Sequence, residues 1–406
     1  MKPLDIALQQ ELDELTERGV AKRAERVIRE VIAPTADRGV RYLLEGEKRE
    51  FIRMNTNSYL NLSLHPALIQ AADEATHHYG VGPGAVRFID GTFSAHTKLE
   101  SDIASFTGYP AAKIFNSAYT SNCGMALAIG SKNTHWIGDQ LNHNSIIRAM
   151  RIAGVARERK SIYKHNDMTD LRRCLDGVPG EVERVIIIFD GIFSMRGDCA
   201  PVDEICALAA EYNERFRDGV ITVMDDSHGI GAYGKTGRGT AEHTSTNPDI
   251  IVGTFGKAFG VNGGFIAASK TVIEAVRQKA DTYIYTNPLS VADCAAASRA
   301  LELIDSTDGA TLLAKLKEGT DRFRRGLDSL GLESIPGPHP VVPLLVRDTA
   351  ATHELVRALY EHGVLVVGLT FPVVPQGEET IRFQINCGLT MQDIDLVLNL
   401  LKQNMH

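Results

Sequence analysis

The chain has 406 residues, 44% of them hydrophobic and 23% charged. This ordinary globular composition excludes a disordered or collagen-like chain and has room for roughly two to three domains. Its 43 basic and 51 acidic residues give a formal charge of −8, a poor match to nonspecific nucleic-acid binding.

Leu4, Leu8, Leu12 and Leu15 recur at helical spacing with acids and glutamines between them. They predict an amphipathic arm that packs onto the body or onto a partner subunit. The early acids and the lack of a long apolar stretch separate this segment from a secretory signal or a transit peptide. Pro34 is expected to stop a helical stretch that follows Gly19. Residues 1–60 thus read as a helical arm with short strands.

From 61 to 295, short apolar runs alternate with helical patterns. KIF (113–115), HWI (135–137), VIIIF (185–189), VITVM (220–224), DIIV (249–252) and GFIAA (264–268) read as buried strands. The spacing implies right-handed crossovers and an α/β domain whose mostly parallel sheet is covered on both faces. Such sheets take ligands at the carboxyl ends of their strands. From 296 to 406 the pattern changes to a smaller C-terminal α+β domain. It begins with a helical stretch from Ala297 towards Leu330, interrupted near Ser306–Gly309, and then a turn-rich break, IPGPHPVVP (335–343). A strand (342–346), a helix (352–362), VLVV (364–367), TIRFQI (380–385) and a last helix (390–402) follow. Six cysteines without a CxxC pair fit neither a disulfide scaffold nor a zinc ribbon, so no metal site is expected. No window approaches 18 consecutive apolar residues. A soluble cytoplasmic protein with no integral membrane segment is the expectation.

Two strand ends carry the chemistry. In TFGKAFGVNGG (254–264), Lys257 lies in a glycine-flanked loop directly after DIIV. It is either a solvated loop lysine or a desolvated amine able to form a Schiff base. In VITVMDDSHGIGAYGKTGRG (220–239), Asp225 and His228 follow a buried strand. They are either a polar turn or a carboxylate that holds a protonated ring nitrogen beside an imidazole that reaches the same ligand. Asp-x-x-His followed by Thr-x-x-Lys after the next strand suits pyridoxal 5′-phosphate, with the carboxylate keeping the pyridine ring an electron sink.

At these residues the chain resembles the α-oxoamine synthases, pyridoxal-phosphate enzymes of fold type I, over roughly residues 50–400. The resemblance rests on NSYLNL (57–62), VRFIDGT (86–92), LNHNSII (141–147), DGIFSMRGD (190–198), DDSHGIGAYGKTGRG (225–239), GTFGKAFG (253–260) and IRFQI (381–385). VRFIDGT, LNHNSII, HNDM (165–168), DDSHGIG and PVVPQG (372–377) look most like glycine C-acetyltransferase. FGVNGG (259–264) is closer to serine palmitoyltransferase and 8-amino-7-oxononanoate synthase. Asn61 stands where the family usually has glycine.

The resemblance implies a seven-stranded large domain and site roles. Lys257 would carry the cofactor aldehyde and later move the Cα proton, and Asp225 would pair with the ring nitrogen. His228 would contact the cofactor's phenolic oxygen and orient the acyl group, and His143 would stack on the ring. Ala118, Tyr119 and Thr254 would hold the phosphate, joined by Thr286 and Asn287 from a neighbouring subunit of a homodimer, while Ser194 would contact the cofactor. Arg382, with Asn57 and His143, would bind the amino acid. The first two phosphate donors also follow from their place at a predicted helix start, and an arginine on an apolar strand wants a carboxylate or an internal salt bridge. The implied reaction joins an amino acid to an acyl-CoA. The leading expectation is glycine with acetyl-CoA. The alternative is serine or alanine with a long-chain acyl-CoA and loss of CO2, as in serine palmitoyltransferase or 8-amino-7-oxononanoate synthase.

Overall fold

The computed structural model describes residues 2–22, 24–35, 38–371 and 373–405, so Pro372, the first residue of PVVPQG, lies outside the described residues. The leucine spacing does produce a helix, α1 (Pro3–Glu17), but none of its residues is buried. Leu4, Leu8, Leu12 and Leu15 all stay exposed, so the arm does not pack on the body of its own chain. The helical stretch expected before Pro34 is instead a strand, β1 (Ile28–Ile32). Its sequence, IREVI, is rich in β-branched residues, and it pairs antiparallel with β2 (Arg41–Leu44), which pairs in turn with β3 (Glu50–Arg53).

Five helices precede or interleave with the first half of the central sheet: α2 (Pro66–Tyr79), α3 (Ser94–Thr107), α4 (Ala118–Ile129), α5 (Asn144–Ile152) and α6 (Met168–Asp176). The strands are β4 (Ala111–Phe115), β5 (Thr134–Asp139), β6 (Lys160–Tyr163), β7 (Arg184–Asp190), β8 (Val220–Asp225), β9 (Ile250–Thr254) and β10 (Gly264–Ala268). They form one seven-stranded sheet in the order β4-β10-β9-β8-β7-β5-β6. All neighbours are parallel except β10, which runs antiparallel to both β4 and β9. The apolar runs mark the strands buried on both faces. In β7, Val185 to Phe189 are wholly inaccessible. Each such side chain contributes about 1.5–3 kcal/mol, so a charge at Ile187 would break the sheet. β6 was not visible as an apolar run, because it is an edge strand in which only Tyr163 is buried.

Three further segments complete the chain. The helical stretch after 290 is two helices, Val291–Ile304 and Thr307–Ser329, and Ser306 caps the second by accepting from Asp308 N and Gly309 N. The expected division at 295/296 falls inside the first of them. That helix packs on α2 and α3, and its Ala296, Ala297 and Ala300 share one core with the large sheet. β11 (Val341–Leu345), β12 (Val364–Leu365), β13 (Val367–Leu369) and β14 (Thr380–Gln384) follow. VLVV is therefore split: β12 pairs parallel with β3, while β13 and β11 flank β14. Ile52 and Met54 join the C-terminal core with Phe323 and Phe383. A segment from the first 60 residues is thus built into the C-terminal part. Among the described residues no helix is long and apolar enough to cross a membrane.

Candidate active site

The parallel strands end in a row of polar residues: Asp139 on β5, Asp190 on β7, Asp225 on β8 and Thr254 on β9. Asp190 and Asp225 are register partners. Both are buried. Asp225 Oδ2 accepts from Asn122 Nδ2 at 2.7 Å and Oδ1 from Ser227 N at 3.0 Å. Asn122 lies on α4 and also donates to Ser145 Oγ at 2.9 Å. Burial, then the neighbouring Asp225, push the Asp190 carboxyl well above the usual range, although it accepts the His143 backbone N–H at 2.6 Å.

Lys257 follows β9 by three residues and interacts electrostatically with Asp225 and Asp190 of this row. Desolvation lowers its amine to about 8, opposed by Asp225 and Asp190. Two glycines fix the loop. Gly260 has a φ of +74°, and a Cβ there would approach Ser63 N to 2.3 Å. Gly264 begins β10 so close to α4 that a Cβ would lie 2.3 Å from Ala118 N. The lysine loop is thereby held against the N-terminus of α4. Ser117 caps that helix by accepting from Thr120 N, which leaves the N–H groups of Ala118 and Tyr119 without an intrahelical partner. Thr254 Oγ1 donates to Gly263 O at 3.1 Å and accepts from Gly256 N. A cavity of about 500 Å³ opens beside Lys257, lined also by Asn57, Ser63 and Asp293.

His143 N-caps α5, and its Nδ1 lies 2.8 Å from Ser145 Oγ. Ser145 and Asn122 thus link its ring to Asp225. Its imidazole is lowered from the ordinary value by desolvation and by Lys257, with Asp225 opposing. His228 is buried and lowered much further, first by burial and then by Lys257. Its Nδ1 lies 2.6 Å from Tyr59 Oη, and its backbone carbonyl accepts from His339 Nε2 at 3.0 Å.

Arg382 on β14 reaches the same place from the C-terminal part. Its Nη1 donates to Ser194 O at 2.8 Å and Nη2 to Asn57 Oδ1 at 3.3 Å. Gln384 Nε2 donates to the same Asn57 oxygen. Arg382 Nε is buried without a partner among the described residues. Ser194 enters this contact by its backbone carbonyl. Thr286 and Asn287 lie beside α4, where Asn116 Nδ2 donates to Asn287 O at 2.8 Å and to Thr286 Oγ1 at 3.4 Å. The sequence reading missed Asn122, Tyr59, Asp190 and His339. Tyr59 and Asp190 stand in quoted motifs and Asn122 lies three residues after Tyr119, but nothing local tells which partner each will meet across 47 to 169 positions.

A buried carboxylate at a strand end, a low-pKa lysine on the next strand's loop and an open helix N-terminus fit a phosphorylated aldehyde with a basic ring nitrogen. This donor set is that of a fold-type I pyridoxal-phosphate enzyme. The family model "Aminotransferase class I and II" matches residues 49–401, and the chain belongs to that family. It is 35% identical over 393 residues to 8-amino-7-oxononanoate synthase of Thermoanaerobacter pseudethanolicus, covering 96% of this chain and 94% of the relative. The same enzyme of Geobacter sulfurreducens is 36% identical, with 95% and 94% covered. Serine palmitoyltransferase from S. paucimobilis, solved with bound PLP–myriocin aldimine, superposes with a TM-score of 0.86 at 26% identity, covering 98% and 96%. Within the family the chain is an α-oxoamine synthase, a pyridoxal-phosphate-dependent acyltransferase that condenses an amino acid with an acyl-CoA.

Proposed function

We propose that the enzyme joins a small amino acid to an acyl-CoA longer than acetyl-CoA, with loss of CO2. The similarity to the two 8-amino-7-oxononanoate synthases, along almost the full length of both chains, carries this reading. It favours the alternative over glycine with acetyl-CoA. That product's name divides chemically between C7 and C8. One side is a seven-carbon dicarboxylic acyl group, and the other is the two-carbon amine that alanine leaves after losing CO2. Alanine and that acyl group are therefore the proposed pair.

Each side chain has a part in such a condensation. Asp225, whose two oxygens accept from Asn122 and Ser227, would hold the protonated ring nitrogen of pyridoxal phosphate. Ala118, Tyr119 and Thr254 would hold its phosphate, and His143 would stack on its ring. When bound, the cofactor supplies an electron-withdrawing ring that stabilises negative charge at the amino acid's Cα. Arg382 and Asn57 would hold the carboxylate and orient the Cα–H bond towards Lys257, with the Ser194 carbonyl steadying the guanidinium. Lys257 would hold the cofactor aldehyde, and as a free neutral amine it would take the Cα proton. Its value of about 8 makes the neutral amine ~300-fold commoner at pH 7 than at an ordinary 10.5. With Tyr59 Oη donating to His228 Nδ1, the imidazole would carry its proton on Nε2, where it would hydrogen-bond the acyl carbonyl oxygen as the thioester C–S bond breaks and CoA leaves.

A homodimer acting in the cytoplasm completes the reading. The uncovered α1 leucines and the loop of half-buried Thr286 and exposed Asn287 beside α4 support a second subunit there. Sedimentation should give twice the chain mass, and a fully active monomer would remove the shared site. The substrate test offers glycine, serine and alanine, each with acetyl-CoA, a seven-carbon dicarboxylic acyl-CoA and palmitoyl-CoA, and identifies products by mass. Alanine with the seven-carbon donor should turn over fastest and release CO2. Preference for glycine with acetyl-CoA, or serine with palmitoyl-CoA, would overturn the pairing.

A further inference from the structure

HNDM (165–168) is a quoted motif to which the condensation gives no part. Its histidine lies between two segments of the site. Asp139 ends β5, and the turn after it carries His143. Asp198 belongs to the loop 191–200 after β7, which carries Ser194. His165 Nδ1 is 3.0 Å from Asp139 Oδ1, and Nε2 is 3.1 Å from Asp198 Oδ2. Its ring stands edge-on to Phe193 of the same loop, with centroids 4.4 Å apart.

This geometry fixes the charge. An ionised carboxylate only accepts, and a neutral imidazole has one N–H, so two carboxylate contacts require both nitrogens to be protonated. Burial opposes the charged ring, but the hydrogen bonds it donates to Asp139 and then Asp198 raise it to about 9. Both carboxylates also hold backbone or arginine. Asp139 accepts from Leu141 N at 2.8 Å and Asn166 N at 3.0 Å, and Asp198 accepts from Arg196 Nε at 2.8 Å. Asn166, held at φ +52°, adds a bond from Nδ2 to Cys199 O at 3.1 Å. The loop so anchored presents the Ser194 carbonyl to Arg382 Nη1 at 2.8 Å.

We propose that His165, as an imidazolium, is a positioning residue that clamps loop 191–200 to the turn bearing His143 and so holds Arg382 ready for the amino acid's carboxylate. The clamp itself stands on geometry. Its consequence for binding rests on the reading of Arg382 given above.

The test uses the cofactor-loaded enzyme and His165→Gln, with Asp198→Asn as a second variant that keeps the shape and removes one charge if the first fails to fold. Ring ¹⁵N shifts of the native protein at pH 7.5 should show both His165 nitrogens protonated, and a neutral ring overturns the proposal. Hydrogen exchange across 191–200 should quicken at least tenfold in His165→Gln and at least threefold in Asp198→Asn, and unchanged exchange overturns it. The amino-acid KM should rise at least tenfold in His165→Gln, with kcat and the acyl-donor KM within threefold. An equal loss in all three, or none, overturns the positioning role. The first two readouts do not involve Arg382, so their failure leaves the substrate reading standing. An amino-acid affinity unaffected by Arg382→Ala would instead sink that reading and leave the clamp in place.

Discussion

Removing the Arg382 side chain should cost the enzyme its grip on the amino acid. Among the described residues no ion pair involves this arginine: Nη1 meets Ser194 O and, at 3.9 Å, Met195 Sδ, Nη2 meets Asn57 Oδ1, and Nε meets nothing. Burial lowers the guanidinium from its ordinary value, with Tyr59 opposing. A cation so placed is left for an anion that the chain itself does not provide. A hydrogen bond to a charged group contributes about 1.5–3 kcal/mol. Breaking a buried pair costs about 3–5 kcal/mol, to be discounted because the cleft is open to water. Arg382→Ala should therefore weaken amino-acid binding by about 2–4 kcal/mol, or ~30- to ~1,000-fold in Kd. Arg382→Lys keeps the charge but loses the planar fork, and should cost about 1–2 kcal/mol. Titrating the visible band of the loaded enzyme with amino acid measures both. A Kd for Arg382→Ala within threefold of the native value would refute the carboxylate assignment and make this arginine a structural anchor for loop 191–200.

Other expectations follow from the same geometry. Lys257→Ala should abolish condensation while far-ultraviolet dichroism stays native, and substantial residual turnover would remove the lysine from the mechanism. Capture of pyridoxal phosphate by the cofactor-free protein needs the neutral Lys257 amine. Its rate should rise about tenfold from pH 7 to 9 and then level, as a value of about 8 requires, whereas a rise continuing past pH 10 would contradict the desolvated lysine. His165 is raised from 6.5 to about 9, so its stabilisation is complete below pH 6.5 and lost as pH rises through 9. The stability gap between the native chain and His165→Gln in urea should be up to about 3 kcal/mol near pH 6 and nearly close by pH 10. Asn61 holds a left-handed φ of +56°. Asn61→Gly should leave stability within about 1 kcal/mol, while Asn61→Val should cost about 1–3 kcal/mol in the same assay.

The central sheet was legible because its strands are buried on both faces and read as unbroken apolar runs. Edge strand β6 was not, and the short strands expected within residues 1–60 could not be placed. β6 has one buried residue in four, and β1 is exposed along most of its length, so neither repeats an apolar period. Pro34 marks the end of an element but not its type. The division at 296 misread a change of pattern as a boundary, because the helix Val291–Ile304 is apolar towards α2 and α3 whichever part follows it. In the site, residues at strand ends and in the lysine loop were readable from order along the chain. Tyr59, Asn122 and His339 were not, since each acts by meeting a partner 103 to 169 positions away that only the folded sheet brings near. The glycine position occupied by Asn61 makes the same point: its left-handed backbone explains why asparagine serves there.

The placement of the cofactor on Lys257 is tested most directly by reducing the loaded enzyme with borohydride, digesting it and locating the pyridoxyl group by mass spectrometry. The peptide containing GTFGKAFG should carry it, on Lys257 alone. A pyridoxyl group on another lysine, or on none, would contradict the assignment from which every other role in the site is built.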